Sequence, residues 1–167
     1  MKKPMVGILM GSDSDFPVME ESCKILDQLG IAHETRVASA HRSPGRTQTY
    51  AREARKRGIK VLIAGAGGAA HLAGVLAAET VLPVIGVPIS STTLQGLDSL
   101  LSTSQMPGGV PVAAMAVGKA GAKNAGILAA QILALNDAKL AGKLQRFKKN
   151  LDREVEAKNR KLNSRHA

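Results

Sequence analysis

The sequence predicts a three-layer α/β/α fold, in which helices cover both faces of one doubly wound parallel sheet with a flavodoxin-like strand order. Two observations lead to this fold class. Five short runs with strand character alternate along the chain with stretches of helical character, which is the order that a parallel sheet requires. Four of the five runs are almost continuously apolar, as expected of strands that are covered on both faces.

Each element has its own local signal. The first and second helices, within 15–30 and 43–58, both have proline in the first turn and glycine at the end. The third, within 69–80, is apolar nearly all round, which predicts burial. A fourth is predicted over about 93–104 and a fifth over 119–136. The predicted strands are 5–11, 33–39, 60–67, 82–89 and 110–118.

Basic charge is concentrated near the C-terminal end. Residues 137–167 hold 10 Lys and Arg against 4 Asp and Glu, or +6 of the net charge of +10. Apolar residues recur there every three or four positions, which predicts an amphipathic helix. They are Leu140, Leu144, Phe147, Leu151 and Val155. No sheet face remains for this stripe, so we expect one α/β catalytic domain, 1–136, followed by a helix and tail, 137–167, that contacts neighbouring subunits.

Composition narrows the class of protein. Cys23 is the only cysteine, which excludes an intrachain disulfide and a cysteine-based metal cage and predicts a buried thiol. No 18-residue apolar run occurs and the N-terminal segment does not resemble a signal peptide, so we expect a cytoplasmic protein that does not bind membranes. A basic nucleic-acid module stays open, although the chain has no Trp, one Tyr and two Phe for base stacking. A flavin-binding electron carrier also fits the fold, but the aromatic residues that would pack against a flavin ring are scarce.

Polar or glycine-rich segments follow the first three predicted strands. They read GSDSD at 11–15, SAHRSP at 39–44 and GAGGAAHLAG at 65–74. Because ligands bind at the carboxyl ends of the strands in such sheets, these segments predict one site. The serines and the following helix N-terminus of GSDSD suit a phosphate, but helix capping explains Ser14 or Asp15 equally well. GAGGAAHLAG lacks the dinucleotide-binding spacing, and it predicts either bare backbone against a flat ligand or a tight turn without one.

His41 and Arg42 are the strongest candidates for chemistry. Arg42 offers a planar fork for phosphate, and its charge disfavours protonation of the neighbouring imidazole. A neutral His41 could then accept a proton in acid–base catalysis, the alternative being a histidine that bonds to local backbone. His71, at an apolar helix start, is expected to be partly buried, and His33 and His166 are expected on the surface or in the tail. The residues that could ligate a metal are not clustered along the sequence.

Six segments in fixed order resemble one family. MGSDSD, SAHRSP, AGAGGAAHLAG, GVPISS, DSLLSTSQMPGGVPVA and GKAGAKNAGILAAQIL together resemble the class I N5-carboxyaminoimidazole ribonucleotide mutases, over about residues 5–136. The resemblance implies conversion of that nucleotide to 4-carboxy-5-aminoimidazole ribonucleotide in purine (IMP) biosynthesis, without metal or cofactor. It also implies a homo-octamer and functional coupling to an ATP-dependent synthase that makes the substrate. The animal-type branch, a direct carboxylase of aminoimidazole ribonucleotide using carbon dioxide, has a different glycine segment, so AGAGGAAH favours the mutase.

The resemblance also implies residue roles. His41 matches the proton-transfer histidine, and Asp15 would accept from ribose hydroxyls. The implied phosphate ligands are Ser14, Ser39 and Arg42. Those facing the imidazole and its carboxylate are Ser12, Gly67, Ala69 and His71. The chain departs from the family pattern at Ala73, where HLAG replaces the usual HLPG.

Overall fold

The computed structural model describes residues 3–164 of the chain. The strands are β1 (Val6–Met10), β2 (His33–Val37), β3 (Val61–Gly67), β4 (Val84–Ile89) and β5 (Ala113–Ala114). A 3-10 turn, Asp13–Asp15, precedes the first of the helices. These are α1 (Phe16–Leu29), α2 (Pro44–Ala54), α3 (Leu72–Glu79), α4 (Leu97–Ser104), α5 (Lys119–Ala134) and α6 (Ala138–Asn163).

The five strands form one parallel sheet in the order β2-β1-β3-β4-β5, which confirms the flavodoxin-like prediction. Helices cover both of its faces. On β1, Ile8 belongs to the core beneath α1 and α5, while its neighbour Leu9 belongs to the core beneath α2 and α3. Both side chains are fully buried, because successive residues of a strand point to opposite faces. The three layers follow directly from this alternation.

Most predicted elements are shorter in the structure, and three of these differences have a clear local cause. The strand predicted over 110–118 is reduced to β5, because Pro111 lacks a donor for the ladder. Further along, Met115 and Gly118 still donate to β4 through irregular bonds. β4 begins only after Pro83. The fourth helix begins at Leu97 rather than near 93, because Gln95 and Gly96 adopt positive φ angles of 52° and 91°.

The first half of α6 packs on its own chain, which corrects our expectation. Leu140 is buried, and Leu144 and Phe147 are half-buried against the core beneath α1 and α5. Lys143 Nζ donates to the Leu29 carbonyl at 2.5 Å, where a cation is favourable beside the C-terminus of α1. Sequence periodicity reveals an apolar face but not its partner, and contact with neighbouring subunits stays a prediction for the distal half of α6. Within the apolar stripe, Leu151 and Val155 are exposed.

Several single-residue expectations can also be checked. Cys23 is buried as predicted, and this burial raises the pKa of its thiol. His33 is not a surface residue: its side chain is 14% exposed and its Nδ1 lies 3.2 Å from the Ile31 carbonyl. His166 lies outside the described residues. Within residues 3–164, no helix is both long and apolar enough to cross a bilayer.

Candidate functional site

A cavity of about 340 Å³ opens at the carboxyl edge of the sheet. The loops after the first four strands form its walls, which is where a doubly wound sheet binds its ligand. The lining residues are Gly11, Ser12, Ser14, Asp15, Ser39, Ala40, His41, Arg42, Ala66, Gly67, Ala70, His71, Leu72 and Ser91. Eight of the nine residues predicted from the sequence are therefore brought together.

Ala69 is the predicted residue that does not line the cavity. It is exposed, and its carbonyl accepts a hydrogen bond from the Ser102 hydroxyl. Sequence reasoning in turn missed Ser91, which follows β4 as the other polar loops follow their own strands. The rule that all parallel strands end at one edge would have found Ser91, had it been applied to the fourth strand as well.

The loop after β1 is organised by its own polar side chains. Ser12 caps the 3-10 turn, and Asp15 Oδ2 accepts from the Ser12 backbone N–H at 3.1 Å, which completes a capping box. The Ser14 hydroxyl donates to Ser12 Oγ at 2.9 Å. Asp15 thus belongs to the capping box of the 3-10 turn and makes no side-chain cap bond to α1, and the same carboxyl group also lines the cavity. Its burial raises its pKa, against the opposing effect of the Ser12 and Gly11 N–H donors and the Arg42 charge.

Arg42 connects the loops after β1 and β2. Its Nη2 donates to the Gly11 carbonyl at 2.9 Å, and its backbone N–H donates to Ser39 Oγ at 3.1 Å. The guanidinium is exposed and also lines a neighbouring cavity, shared with Arg46. Bound to Gly11, this group lies between the two loops that carry the candidate phosphate-binding serines.

His41 and His71 form a direct pair across the cavity. His41 Nε2 lies 2.7 Å from His71 Nδ1, and the rings meet edge to face at a centroid distance of 4.9 Å. One of these nitrogens must donate while the other accepts. His41 therefore bonds to a second histidine, and its acid–base role stays a prediction. His71 is exposed, so the expectation that it is partly buried was wrong.

The glycine loop reaches His71 through unusual backbone geometry. Gly68 has a φ of 59°, and Ala70 has a φ of 36°, which is uncommon for a residue with a side chain. The Ala70 N–H donates to the Gly67 carbonyl at 3.1 Å, which closes a tight turn. This turn delivers His71 to the start of α3 and leaves Ala70 in the cavity wall. Within the described part of the chain, no three His, Cys, Asp or Glu side chains are grouped as a metal site would require.

The family model described as AIR carboxylase matches residues 5–154. The chain belongs to this AIR carboxylase family. It is 59% identical over 153 residues to the N5-carboxyaminoimidazole ribonucleotide mutase of Bacillus subtilis, covering 92% of this chain and 94% of that one. The mutase of Pyrococcus horikoshii is 55% identical over 161 residues, covering 96% and 90%.

A solved member of the AIR carboxylase family has the same fold. The crystal structure of Treponema denticola PurE superposes with a TM-score of 0.86 at 29% sequence identity, covering 95% of this chain and 98% of that one. The match includes most of the C-terminal region, so the α/β/α architecture and the resemblance first noted in the sequence motifs are both confirmed.

Proposed function

We infer that this chain is an N5-carboxyaminoimidazole ribonucleotide mutase of purine biosynthesis. It converts N5-carboxyaminoimidazole ribonucleotide to 4-carboxy-5-aminoimidazole ribonucleotide. The observation that carries this conclusion is identity above one half to curated mutases over more than nine-tenths of the chain. The gathering of His41, Arg42 and the serine loops around one cavity supports it independently.

The loops after β1 and β2 hold the 5′-phosphate in this proposal. Ser14 and Ser39 supply hydroxyl donors, and Arg42 supplies a charge that its bond to Gly11 keeps between them. The nearby N-termini of α1 and α2 add favourable dipoles for an anion. Asp15 faces the ribose, because its carboxylate is suited to accept from sugar hydroxyls.

His41 transfers the protons of the reaction. When the carbamate N–C bond breaks, its electron pair stays on nitrogen, which takes a proton from the protonated form of His41, and carbon dioxide is released. The ring carbon C4 of the resulting enamine then attacks this carbon dioxide, and the C4 proton returns to His41. The reaction is an isomerisation, so the atoms balance without a cofactor or metal. The apolar walls formed by Ala66, Ala70 and Leu72 limit the escape of carbon dioxide between the two steps.

Substrate choice is the decisive test. We expect the purified chain to form the C4 carboxylate efficiently from N5-carboxyaminoimidazole ribonucleotide, and only slowly from aminoimidazole ribonucleotide with bicarbonate. The opposite preference would make the protein a direct carboxylase and would overturn the mutase assignment. Ser12, Gly67 and His71 remain the proposed contacts to the imidazole and its carboxyl group, whereas Ala69 is not retained because it does not line the cavity.

A cytoplasmic homo-octamer that receives its substrate from an ATP-dependent synthase completes the proposal. The exposed apolar side chains on the distal half of α6, Leu151 and Val155, support subunit contacts. Leu151→Lys should give smaller species by light scattering, whereas its neighbour Asn150→Lys adds the same charge off the stripe and should assemble normally. Equal assembly of both variants would contradict this role of α6. Truncation after Asn136 is a poorer test, because it also removes buried Leu140.

A further inference from the structure

Ser91 occupies an unassigned position in the cavity wall. It is the one lining residue that comes from the loop after β4. In the strand order β2-β1-β3-β4-β5, this loop is separated from the loop after β2 by three strand spacings, or about 14 Å. The phosphate-binding groups proposed above lie at the β1 and β2 end. Ser91 therefore marks the opposite end of the cavity.

Gly67 explains how the Ser91 side chain reaches this position. A Cβ atom placed on Gly67 would overlap Ser91 Oγ and would lie only 2.7 Å from Ser91 Cβ. The backbone of Gly67 does not adopt a positive φ, so its conformation does not require glycine. Space does. The glycine leaves room for a serine side chain that packs directly onto the end of β3.

The surroundings of Ser91 define what it can bind. The cavity walls contributed by β3 and its loop are Ala66, Gly67, Ala70 and Leu72, which offer no side-chain donor, and His71, whose Nδ1 is paired with His41. A hydroxyl beside such walls suits a small group that has an oxygen acceptor throughout the reaction and loses its charge in one step of it. A carboxyl group that departs as carbon dioxide and is recaptured has these properties.

We propose that Ser91 binds the migrating carboxyl group and that Gly67 is glycine in order to admit it. This role rests on the proposed mutase function. The Ser91 hydroxyl donates to an oxygen of the carbamate, then of carbon dioxide, then of the C4 carboxylate. The Ser91 hydroxyl keeps its proton throughout, because both protons that move in the reaction, the one given to nitrogen and the one taken from C4, pass through His41.

Label retention tests this role directly. Substrate with a ¹³C-labelled carboxyl group is converted in unlabelled bicarbonate buffer, and turnover, released aminoimidazole ribonucleotide and label in the product are measured. We expect Ser91→Ala to lower kcat roughly 10- to 100-fold, the equivalent of one hydrogen bond to a charged group, and to lose label to the buffer. KM should change less, because the phosphate end is untouched. Ser90→Ala, an exposed neighbour outside the cavity, is the matched control.

A pair of variants tests the packing argument separately. Gly67→Ala should lower the thermal unfolding temperature and label retention together, since its methyl group displaces Ser91. Adding Ser91→Gly should restore the unfolding temperature but not the retention.

The outcomes separate the two proposals. If the wild-type chain does not convert the substrate, the mutase function is overturned and this role with it. If it does, but Ser91→Ala matches Ser90→Ala in kcat and retention within about twofold, the Ser91 role alone is overturned.

Discussion

Ala73 stands where the family pattern has proline, and Ala73→Pro tests whether the backbone at the start of α3 is nevertheless the one that proline requires. Ala73 is the second residue of α3, and it is only 2% exposed. The first helical hydrogen bond here is donated by Val75 to the His71 carbonyl at 3.0 Å, two residues later. The Ala73 N–H lies in the first turn, where a helix has no acceptor for it. Proline should therefore remove nothing that the folded state uses.

The size of the effect follows from the unfolded chain. Proline restricts that chain and should stabilise the fold by about 0.4–1 kcal/mol, provided the native backbone accepts it. For a protein of this length, the gain corresponds to a rise of roughly 1–4 °C in Tm. Two features limit this gain in stability. Proline disfavours the helical conformation of the preceding residue, Leu72. The Ala73 methyl also packs closely on β4, since it would lie 3.3 Å from a Cβ atom placed on Gly86, so little room is left for a larger ring.

Thermal unfolding and steady-state kinetics provide the assay. Ala78→Pro is the control, because Ala78 is exposed in the last turn of the same helix, where proline removes a helical hydrogen bond and should cost about 3 kcal/mol or more. For Ala73→Pro we expect kcat within about threefold of wild type. A lowered Tm for this variant would refute the reasoning, since it would show that the native backbone or the packing around Ala73 does not accept proline.

The remaining predictions concern the cavity. His41→Asn should leave folding and nucleotide binding intact but lower kcat by at least ~100-fold, the usual scale for a positioned acid–base group; near-normal turnover would remove His41 from catalysis. Arg42→Ala should raise KM far more than it lowers kcat, and an unchanged KM would exclude it as a phosphate ligand. Asp15→Asn should raise Tm at neutral pH, because burial raises the pKa of Asp15 and its ionisation then costs stability. This advantage should vanish below the ordinary aspartate pKa of 3.8, and a pH-independent difference would contradict it.

The parts of the fold that were predicted well are those whose signals are local. β3 and β4 are buried on both faces, so their apolar runs identify them without knowledge of their neighbours. β5 was overestimated because it lies at the sheet edge, where irregular bonds from Met115 and Gly118 to β4 replace a regular ladder. The first half of α6 was misjudged because its partner surface combines α5, the helix directly before it in the sequence, with α1, which lies far from it in the sequence.

The same distinction holds within the site. The residues that follow the first three strands could be grouped from the sequence, because parallel strands end at one edge. The bond between His41 and His71 could not, since it joins residues 30 positions apart and depends on the turn that precedes α3. Ser91 could have been grouped by the same rule, but the space above Gly67 that admits its side chain is a property of the folded chain alone.

The cavity is also where this chain departs from the rules that stabilise folds. Asp15 is a buried carboxyl group with a raised pKa, and Ala70 has a positive φ although glycine would adopt it more easily. Replacing Ala70 with glycine would relieve the backbone but remove a methyl group from the apolar wall. Replacing Asp15 with asparagine would relieve the buried charge but weaken the acceptor proposed for the ribose. Each residue lowers stability in a way that an obvious substitution would correct, and both line the cavity. Retaining them there is explained by function rather than by folding.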